Sequence, residues 1–371
     1  MKNMKIHLLT FALFVGLSAS LVSCKKDDKG GIPVYTVPAT YTFTNVDYKE
    51  SAARISMWSG YQGHLGKGAT RKLSQDTVNK LWNNNGNAFT SETASGIPYT
   101  FDVLNTLSYN LAGKSADPTI LKAFADSMVV ISQYYNTAAS RGVAGTIGTR
   151  IFNTKGLEFN QAVSKGLMGS LVLSNILSIL DNISSADNNT VVAGQGTDME
   201  HKWDLAFGYV GIPKDYDSGK VYTSAIVDRP LAVGGYFAER GKFIKSGGTV
   251  FEAFRKGRAA IGAKDYQTRN AAAATIKEFM EKTLAASLYV YLTEPQTQSN
   301  LSSKFHGLSE AFGFTTALKY RPSNSKLSSA NYQALLDIVS TDFYVLADDA
   351  ANTKLKQAQA ILTAAYGQLQ P

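Results

Sequence analysis

The stretch "DYQTRNAAAATIKEFMEKTLAASLYVYL", residues 265–292, decides the fold class of this chain. It is rich in alanine and carries its charges at helical spacing, so we expect one long α-helix. Glu294-Pro295 follows, and proline is expected to close the helix at that point. A second long helix is predicted over residues 156–183. No series of short alternating strands is visible in the sequence, which predicts an all-α fold.

Helical periodicity also dominates the rest of the chain after an extended lead-in over residues 32–47. The other predicted helices cover residues 48–62, 74–84, 118–140, 198–209, 248–261, 300–318, 329–339 and 341–366. Long surface loops are predicted over residues 142–151, 184–197 and 210–240.

One short motif occurs twice. "HKWDLAFGY" at residues 201–209 returns as "HGLSEAFGF" at residues 306–314, and each copy follows a long helix and a polar loop. In both, Ala-Phe-Gly and an aromatic residue begin five places after the histidine. The pattern predicts a helical bundle with an internal duplication of a helix–loop–helix unit. The alternative is that two unrelated helices share these residues by chance.

The repeated histidines suggest a metal site. A helix turns by about 100° per residue, so His201 shares a face with Asp204, and His306 shares a face with Glu310. Imidazole and carboxylate suit iron and zinc, and an ion that takes three or more ligands would need both copies to face one cavity. Candidates for additional carboxylate ligands are Glu158, Glu278 and Glu281. The alternative is a buried hydrogen bond between histidine and acid in each half, with no metal bound.

Two neighbouring features can be explained without a ligand. Gly208 and Gly313 each cost a helix about 1 kcal/mol relative to alanine, so they indicate either a close helix contact or room for a ligand. Thr197 and Glu200 fit a capping box that would start the first histidine helix. His64 lies in the glycine-rich stretch "GYQGHLGKG", which predicts a mobile loop and lacks the pattern of a nucleotide-binding loop.

The chain is basic, with a formal net charge of +8, but its basic residues are scattered. One loose group of basic residues is the exception. We expect it to form a solvated face; the alternative is a surface that binds acidic ligands. The group comprises Lys242, Lys245, Arg255, Lys256 and Arg258. No interleaving of aromatic and basic residues supports nucleic-acid binding, so no nucleic-acid partner is expected.

The first residues read as a secretory leader, with a basic start and an apolar run from Leu8 to Val22. Leu21-Val22-Ser23-Cys24 resembles a bacterial lipobox, and Cys24 is the only cysteine. We therefore expect a signal peptide over 1–23, a lipidated tether and lead-in over 24–47, and an all-helical domain over 48–371. The domain could divide into halves at 48–195 and 196–371. Acidic residues after the cysteine resemble a surface-export tag, so the expected location is the outer membrane, lipid-anchored and facing outward.

Three stretches carry a family resemblance: "GLEFNQAVSKGLMGSLVLSNIL" (156–177), "MEHKWDLAFGY" (199–209) and "HGLSEAFGF" (306–314). They resemble a bacterial lipoprotein family catalogued as domain of unknown function 4856, which has no established activity. More distantly the chain resembles the imelysin-type lipoproteins of iron-regulated uptake loci, which are helical bundles with internal duplication and a Gly-x-His-x-x-Glu motif. His201 and Asp204 match that motif with Asp in place of Glu, and Met199 stands in place of the glycine.

Two functions follow as expectations. The first is a cell-envelope lipoprotein that binds iron or an iron complex in metal acquisition, with outer-membrane uptake proteins as partners. The second is a metal-independent scaffold or accessory subunit of an outer-membrane complex. The imelysin resemblance implies a third hypothesis, a metallopeptidase. No residue pattern in the sequence indicates the general base and the activated water that a hydrolase needs, so no catalytic residue is expected.

Overall fold

A computed structural model describes residues 33–90 and 99–371, and within them the fold is all-α, as predicted. Val34–Pro371 form one compact unit. The α-helices are α1 (Lys49–Gly66), α2 (Gln75–Asn83), α3 (Phe101–Thr106), α4 (Pro118–Ser132), α5 (Phe159–Leu167), α6 (Ser174–Asn182), α7 (Asp198–Val210), α8 (Ala232–Phe237), α9 (Ser246–Gly262), α10 (Tyr266–Thr297), α11 (Leu301–Ala317), α12 (Ser329–Val339), α13 (Phe343–Asp348) and α14 (Thr353–Tyr366). The predicted signal peptide and Cys24 lie outside the described residues.

Polar side chains fix where the long helices start. The carboxylate of Asp265 accepts a hydrogen bond from the backbone N–H of Thr268 at 3.0 Å, which begins α10. Asn300 does the same for Ser303 at the start of α11, also at 3.0 Å. Because α10 ends at Thr297 and the Asn300 cap starts α11 at Leu301, only a short turn separates the two helices, and they pack against each other.

The core is built around α10 and the helix formed by α5 and α6. α10 packs against α9, α11 and α14, while α11 packs against α5. α7 packs against α1, α6 and α9. Helices from both predicted halves therefore contact each other. The fully buried aromatic side chains include Trp203, Phe207, Phe254, Phe305 and Phe314.

A π-helical segment, Met168–Leu173, joins α5 to α6 and is buried throughout. A β-carbon at Gly169 would lie 2.3 Å from the Cα atom of Ala317, so the backbones of this segment and the end of α11 are in close contact. Only glycine permits that approach without displacing the backbone of the neighbouring helix.

One continuous helix in the described residues, Phe159–Ser185, is long and apolar enough to span a membrane. Of its apolar window, 78% is buried inside the protein. Its burial is that of a core helix, which passes the same test of length and composition.

Several predicted boundaries are wrong for identifiable reasons. α10 continues through Pro295 to Thr297, because a proline so near the end of a helix removes few hydrogen bonds and this one packs on Gly307. Residues 341–366 form two helices, α13 and α14, separated by a turn. The carboxylate of Asp349 in this turn accepts a hydrogen bond from the backbone N–H of Thr353, the first residue of α14, at 2.7 Å. His64 lies within α1 and is buried, so the predicted mobile loop is helical instead.

Two predicted loops contain short antiparallel hairpins. β1 (Gly145–Ile147) pairs with β2 (Arg150–Phe152), and β3 (Val191–Val192) pairs with β4 (Gly196–Thr197). Gly148 supplies the left-handed conformation, with φ of +63°, that turns the first hairpin. The predicted loop over 210–240 also contains a helix, α8.

Candidate functional site

The predicted capping box starts α7 and thereby positions the first histidine and its acid. The side chain of Thr197 accepts a hydrogen bond from the backbone N–H of Glu200 at 3.2 Å, and its own backbone N–H donates to the Glu200 carboxylate at 2.8 Å. The box is confirmed. His201 and Asp204 follow in the next turn.

A first polar network surrounds Asp204, which is fully buried. Its Oδ1 accepts hydrogen bonds from the Tyr41 hydroxyl at 2.6 Å and from Nε of Arg258 at 3.0 Å. Arg258 also pairs with Glu200 through Nη1. Burial raises the pKa of Asp204 to about 6, and the charge of Arg258 opposes this rise. The carboxylate is thus held by a cation and a hydroxyl from other parts of the chain.

His201 stands apart from this network. Its Nδ1 is enclosed and has no hydrogen-bond partner in the described part of the chain, while Asp204 bonds to Tyr41 and Arg258. The alternative prediction is a hydrogen bond between each histidine and the acid on its own helix. In α7, a helix that the structure describes in full, no such bond joins His201 to Asp204.

A second network surrounds His306 on α11. Its Nδ1 is 2.6 Å from Oε2 of Glu158, which immediately precedes α5. On the other side of the ring, Nε2 is 3.7 Å from Oε2 of Glu310. Glu310 in turn pairs with Lys165 of α5, with Nζ 3.0 Å from Oε1. The structure therefore brings together three of the predicted site residues.

Glu158 has a fixed orientation because several groups hold it. Its backbone N–H donates to the hydroxyl of Ser309 at 2.9 Å, and Nε of Arg150 lies 3.9 Å from its Oε2. Only about 9% of its side chain is exposed, against 26% for His306. The imidazole of His306 is thus more accessible than the two carboxylates beside it, which are both buried.

The other two candidate carboxylates have different partners. Glu278 forms an ion pair with Lys282 at 2.8 Å. Glu281 is buried and accepts hydrogen bonds from the hydroxyls of Ser325 and Tyr366, the latter at 2.6 Å. Both glutamates are therefore engaged away from His201 and His306.

The four predicted ligands do not form one shared site. In the residues that the structure describes, no group of three or more His, Cys, Asp and Glu side chains is arranged to hold a metal ion. Asp204 pairs with Arg258, whereas Glu158 and Glu310 face different nitrogens of His306, so a single ion could not bind one ring nitrogen and both carboxylates. The four side chains, as the structure places them, do not fit one shared metal site. Metal binding itself stays a prediction.

The repeated glycines serve helix contacts. A β-carbon at Gly208 would lie 2.2 Å from Oγ of Ser51 on α1, and one at Gly313 would lie 2.8 Å from the backbone oxygen of Gln161 on α5. Each histidine helix thus meets the start of an earlier helix at its glycine. Gly208 also borders a pocket of about 260 Å³ beside Tyr48, but neither His201 nor Asp204 lines it.

The cations of both networks, Arg258 and Lys165, are not among the predicted site residues. Arg258 belongs to the basic group expected to form a solvated face, yet only 2% of its surface is exposed. Lys165 lies in the apolar stretch 156–177 and is also buried. A lone basic residue inside an apolar helix is the signal that could have identified Lys165, since buried charges require a partner.

The fold and both networks define an all-helical domain with two buried acid–base clusters. A family model, described as domain of unknown function DUF4856, matches residues 38–368, and the chain belongs to that family. No curated protein and no solved structure matches the chain.

Proposed function

We propose that this chain is a lipid-anchored protein of the bacterial cell envelope that acts as a metal-independent scaffold or accessory subunit. The observation that carries the proposal is the pairing of Asp204 with Arg258 and of Glu310 with Lys165. In each copy a protein cation already neutralises the acid that a metal ion would need.

Electrostatics support this interpretation. A divalent ion at Asp204 would be placed within a few ångströms of the buried guanidinium of Arg258, where the two charges repel each other strongly. Removing the guanidinium from Asp204 would leave a buried charge without a partner, which is costly. Each acid and its cation therefore depend on each other, and breaking either pair would disturb the helix packing around it.

The lipid anchor is supported by the sequence alone. Cys24 is the only cysteine and follows an apolar leader that begins with basic residues. A tether of charged and glycine residues separates it from the described fold. This arrangement suits a domain held at a membrane surface by a lipid.

A second candidate function is metal binding by one of the two histidine helices alone, at His306. Glu158 fixes Nδ1 of His306, which leaves Nε2 facing Glu310, and a carboxylate that orients a histidine in this way is common behind metal ligands. An iron or zinc ion held by His306 and Glu310 would need further ligands from outside the protein. Lys165 beside Glu310 opposes it.

Metal analysis of the full chain separates the two candidates. The chain would be purified in neutral detergent, treated with Fe²⁺ or Zn²⁺ and freed of loose metal. We expect less than one ion per chain in the wild type, His201→Ala and His306→Ala, and no metal-dependent rise in the thermal unfolding temperature. One ion per chain that survives His201→Ala but is lost in His306→Ala would contradict the proposal and establish the second candidate.

A further inference from the structure

A pocket of about 350 Å³ lies at the amino-terminal end of α9, away from both acid–base networks. Its wall includes two glycines of the first helical turn, Gly247 and Gly248, together with Tyr216 and Ser218. Lys242 and Lys245 complete the same wall. Glycines, hydroxyls and ammonium groups are thus gathered at one helix end.

The first backbone N–H groups of α9 point out of a helix that has no side-chain cap. The N-cap residue, Lys245, has φ of +54° and supplies no capping oxygen. The N–H of Ser246 bonds to the carbonyl of Gly241 at 3.1 Å, and the next two residues are the glycines. Uncapped N–H groups at a helix start favour an anion. The missing side chains of these two glycines make room for the hydroxyls of Tyr216 and Ser218, which therefore lie beside them.

Tyr216 is an independent sign of a ligand. Only 5% of its surface is exposed, and its ring packs against Phe237 and Phe251. Its hydroxyl lies against Gly247, where a β-carbon would be 2.2 Å away. No hydrogen bond of this hydroxyl is found in the described residues, although it borders the pocket. Burial raises the pKa of Tyr216 to about 12, so the hydroxyl keeps its proton and can donate it to a ligand.

The nearby cations divide into those with partners and those without. Arg258 is buried on Asp204, Nη1 of Arg255 donates to the carbonyl of Pro38, and Lys256 pairs with Glu252 at 2.5 Å. The remaining two members of the basic group, Lys242 and Lys245, are exposed and have no ion pair with the described residues. Within this basic group, the two lysines without an acidic partner in the described part of the chain are therefore the two that line the pocket.

Three acidic side chains lie on or near the pocket wall, and one of them, Glu252, is paired with a cation. Glu252 lines it in the second turn of α9, but its charge is offset by Lys256, which also lowers the pKa of Glu252. Asp217 is exposed and accepts a hydrogen bond from the N–H of Gly219 at 2.8 Å. Burial and, to a smaller extent, the negative charge of Asp217 raise the pKa of the neighbouring Tyr216. Asp215 is exposed and does not line the pocket.

We propose that this pocket binds a phosphate group, carried either by a small phosphorylated molecule or by a phospholipid headgroup. The N–H groups of Gly247 and Gly248 and the hydroxyl of Tyr216 would donate to its oxygens. Lys242 and Lys245 would balance its charge, as ammonium groups do in many phosphate sites. The proposal does not depend on the function proposed above.

The test uses two arms with the same variants. In one, the full chain in neutral detergent is titrated with inorganic phosphate by calorimetry. In the other, the detergent is removed and the fraction that sediments with phosphatidylcholine vesicles containing phosphatidic acid is compared with the fraction that sediments with vesicles lacking it; binding in this arm is the difference, because anchoring through a lipid is common to both. We expect Tyr216→Phe, which removes one hydroxyl, to weaken binding about tenfold, the usual value of a hydrogen bond to a charged group. The double variant Lys242→Gln and Lys245→Gln should weaken it further.

A matched pair of exposed lysines, Lys72→Gln and Lys155→Gln, removes the same charge elsewhere and should leave binding within about twofold of wild type. Binding in the phosphate arm identifies a small ligand, and binding only to phosphatidic acid identifies a lipid. The proposal is overturned by the absence of binding in both arms, by equal losses in the two lysine pairs, or by unchanged binding in Tyr216→Phe. Circular dichroism checks that each variant folds.

Discussion

At the residue scale, the pairing of Asp204 with Arg258 is a buried contact between distant parts of the chain. Both side chains are buried, and they lie 54 positions apart in the sequence. The spacing of His201 and Asp204 on one helix face could be predicted, because it follows from helical geometry. The partners of Asp204 could not, since they come from other elements and only folding brings them together.

Replacing Arg258 with Met should destabilise the fold by about 3–5 kcal/mol, because the buried Asp204 would lose its cation and would have to stay charged there or take up a proton. The change is measured as the free energy of unfolding in urea. The control is Lys256→Met, which breaks an ion pair with both side chains about half exposed and should cost at most about 1 kcal/mol. Similar losses in the two variants would contradict the assignment.

Asp204 also makes stability depend on pH. Its pKa is about 6 in the folded state, above the usual 3.8, so the folded protein holds this proton more tightly than the unfolded chain does. The contribution of this group to stability therefore grows as pH falls through about 6 toward 3.8, and shrinks as pH rises.

Comparison with Asp204→Asn isolates that contribution, because every other group titrates in both proteins. Urea unfolding between about pH 7 and pH 4.5 should show the wild type gaining stability relative to the variant as pH falls. A difference that is constant across this range, or that shrinks on acidification, would refute the raised pKa.

At the element scale, helix contacts repeat more faithfully than polar groups do. α7 and α11 each press a glycine against an earlier helix, but the cation beside the acid comes from α9 in the first case and from α5 in the second. Helix existence could be predicted from periodicity, including the long α10. The hairpins and α8 could not, because elements of a few residues are too short to show a period.

Gly313→Ala should destabilise the protein by about 1–3 kcal/mol, because the added methyl group would press on the backbone of Gln161 and on Lys165. Thermal or urea unfolding measures the loss. Gly262→Ala is the matched control: its β-carbon would meet nothing closer than 3.9 Å, and alanine is the better helix former. The control should be neutral or slightly stabilising, and a larger loss there than at Gly313 would exclude the packing role.

At the scale of the whole molecule, the all-α class and the family were predictable, whereas the duplication and the division into halves stay predictions. The halves are hard to separate in the fold because α5 packs on α11 and α1 packs on α7. A repeated motif records a shared pattern of packing residues, but the long-range contacts of each copy depend on neighbours that need not repeat.

Cys24→Ala should move the chain from the membrane fraction to the soluble fraction, or leave its leader uncleaved, because no thiol would remain to carry a lipid. Cell fractionation and mass spectrometry of the amino terminus measure both results. Lys25→Ala, a change in the adjacent tether, should leave the chain processed and membrane-bound. Retention of a processed Cys24→Ala chain in the membrane would sink the anchor assignment.

The buried helix Phe159–Ser185 has a consequence for export. If the chain is secreted through a protein-conducting channel, this segment passes the lipid before it has a core to enter, and it is apolar enough to stop there. Lys165 opposes such arrest, since a lysine within a spanning segment costs up to about 2.5–3.5 kcal/mol on insertion scales. The same ammonium group that holds Glu310 in the finished fold would thus have an earlier role, keeping the nascent segment moving until helices α4, α7 and α11 can cover it.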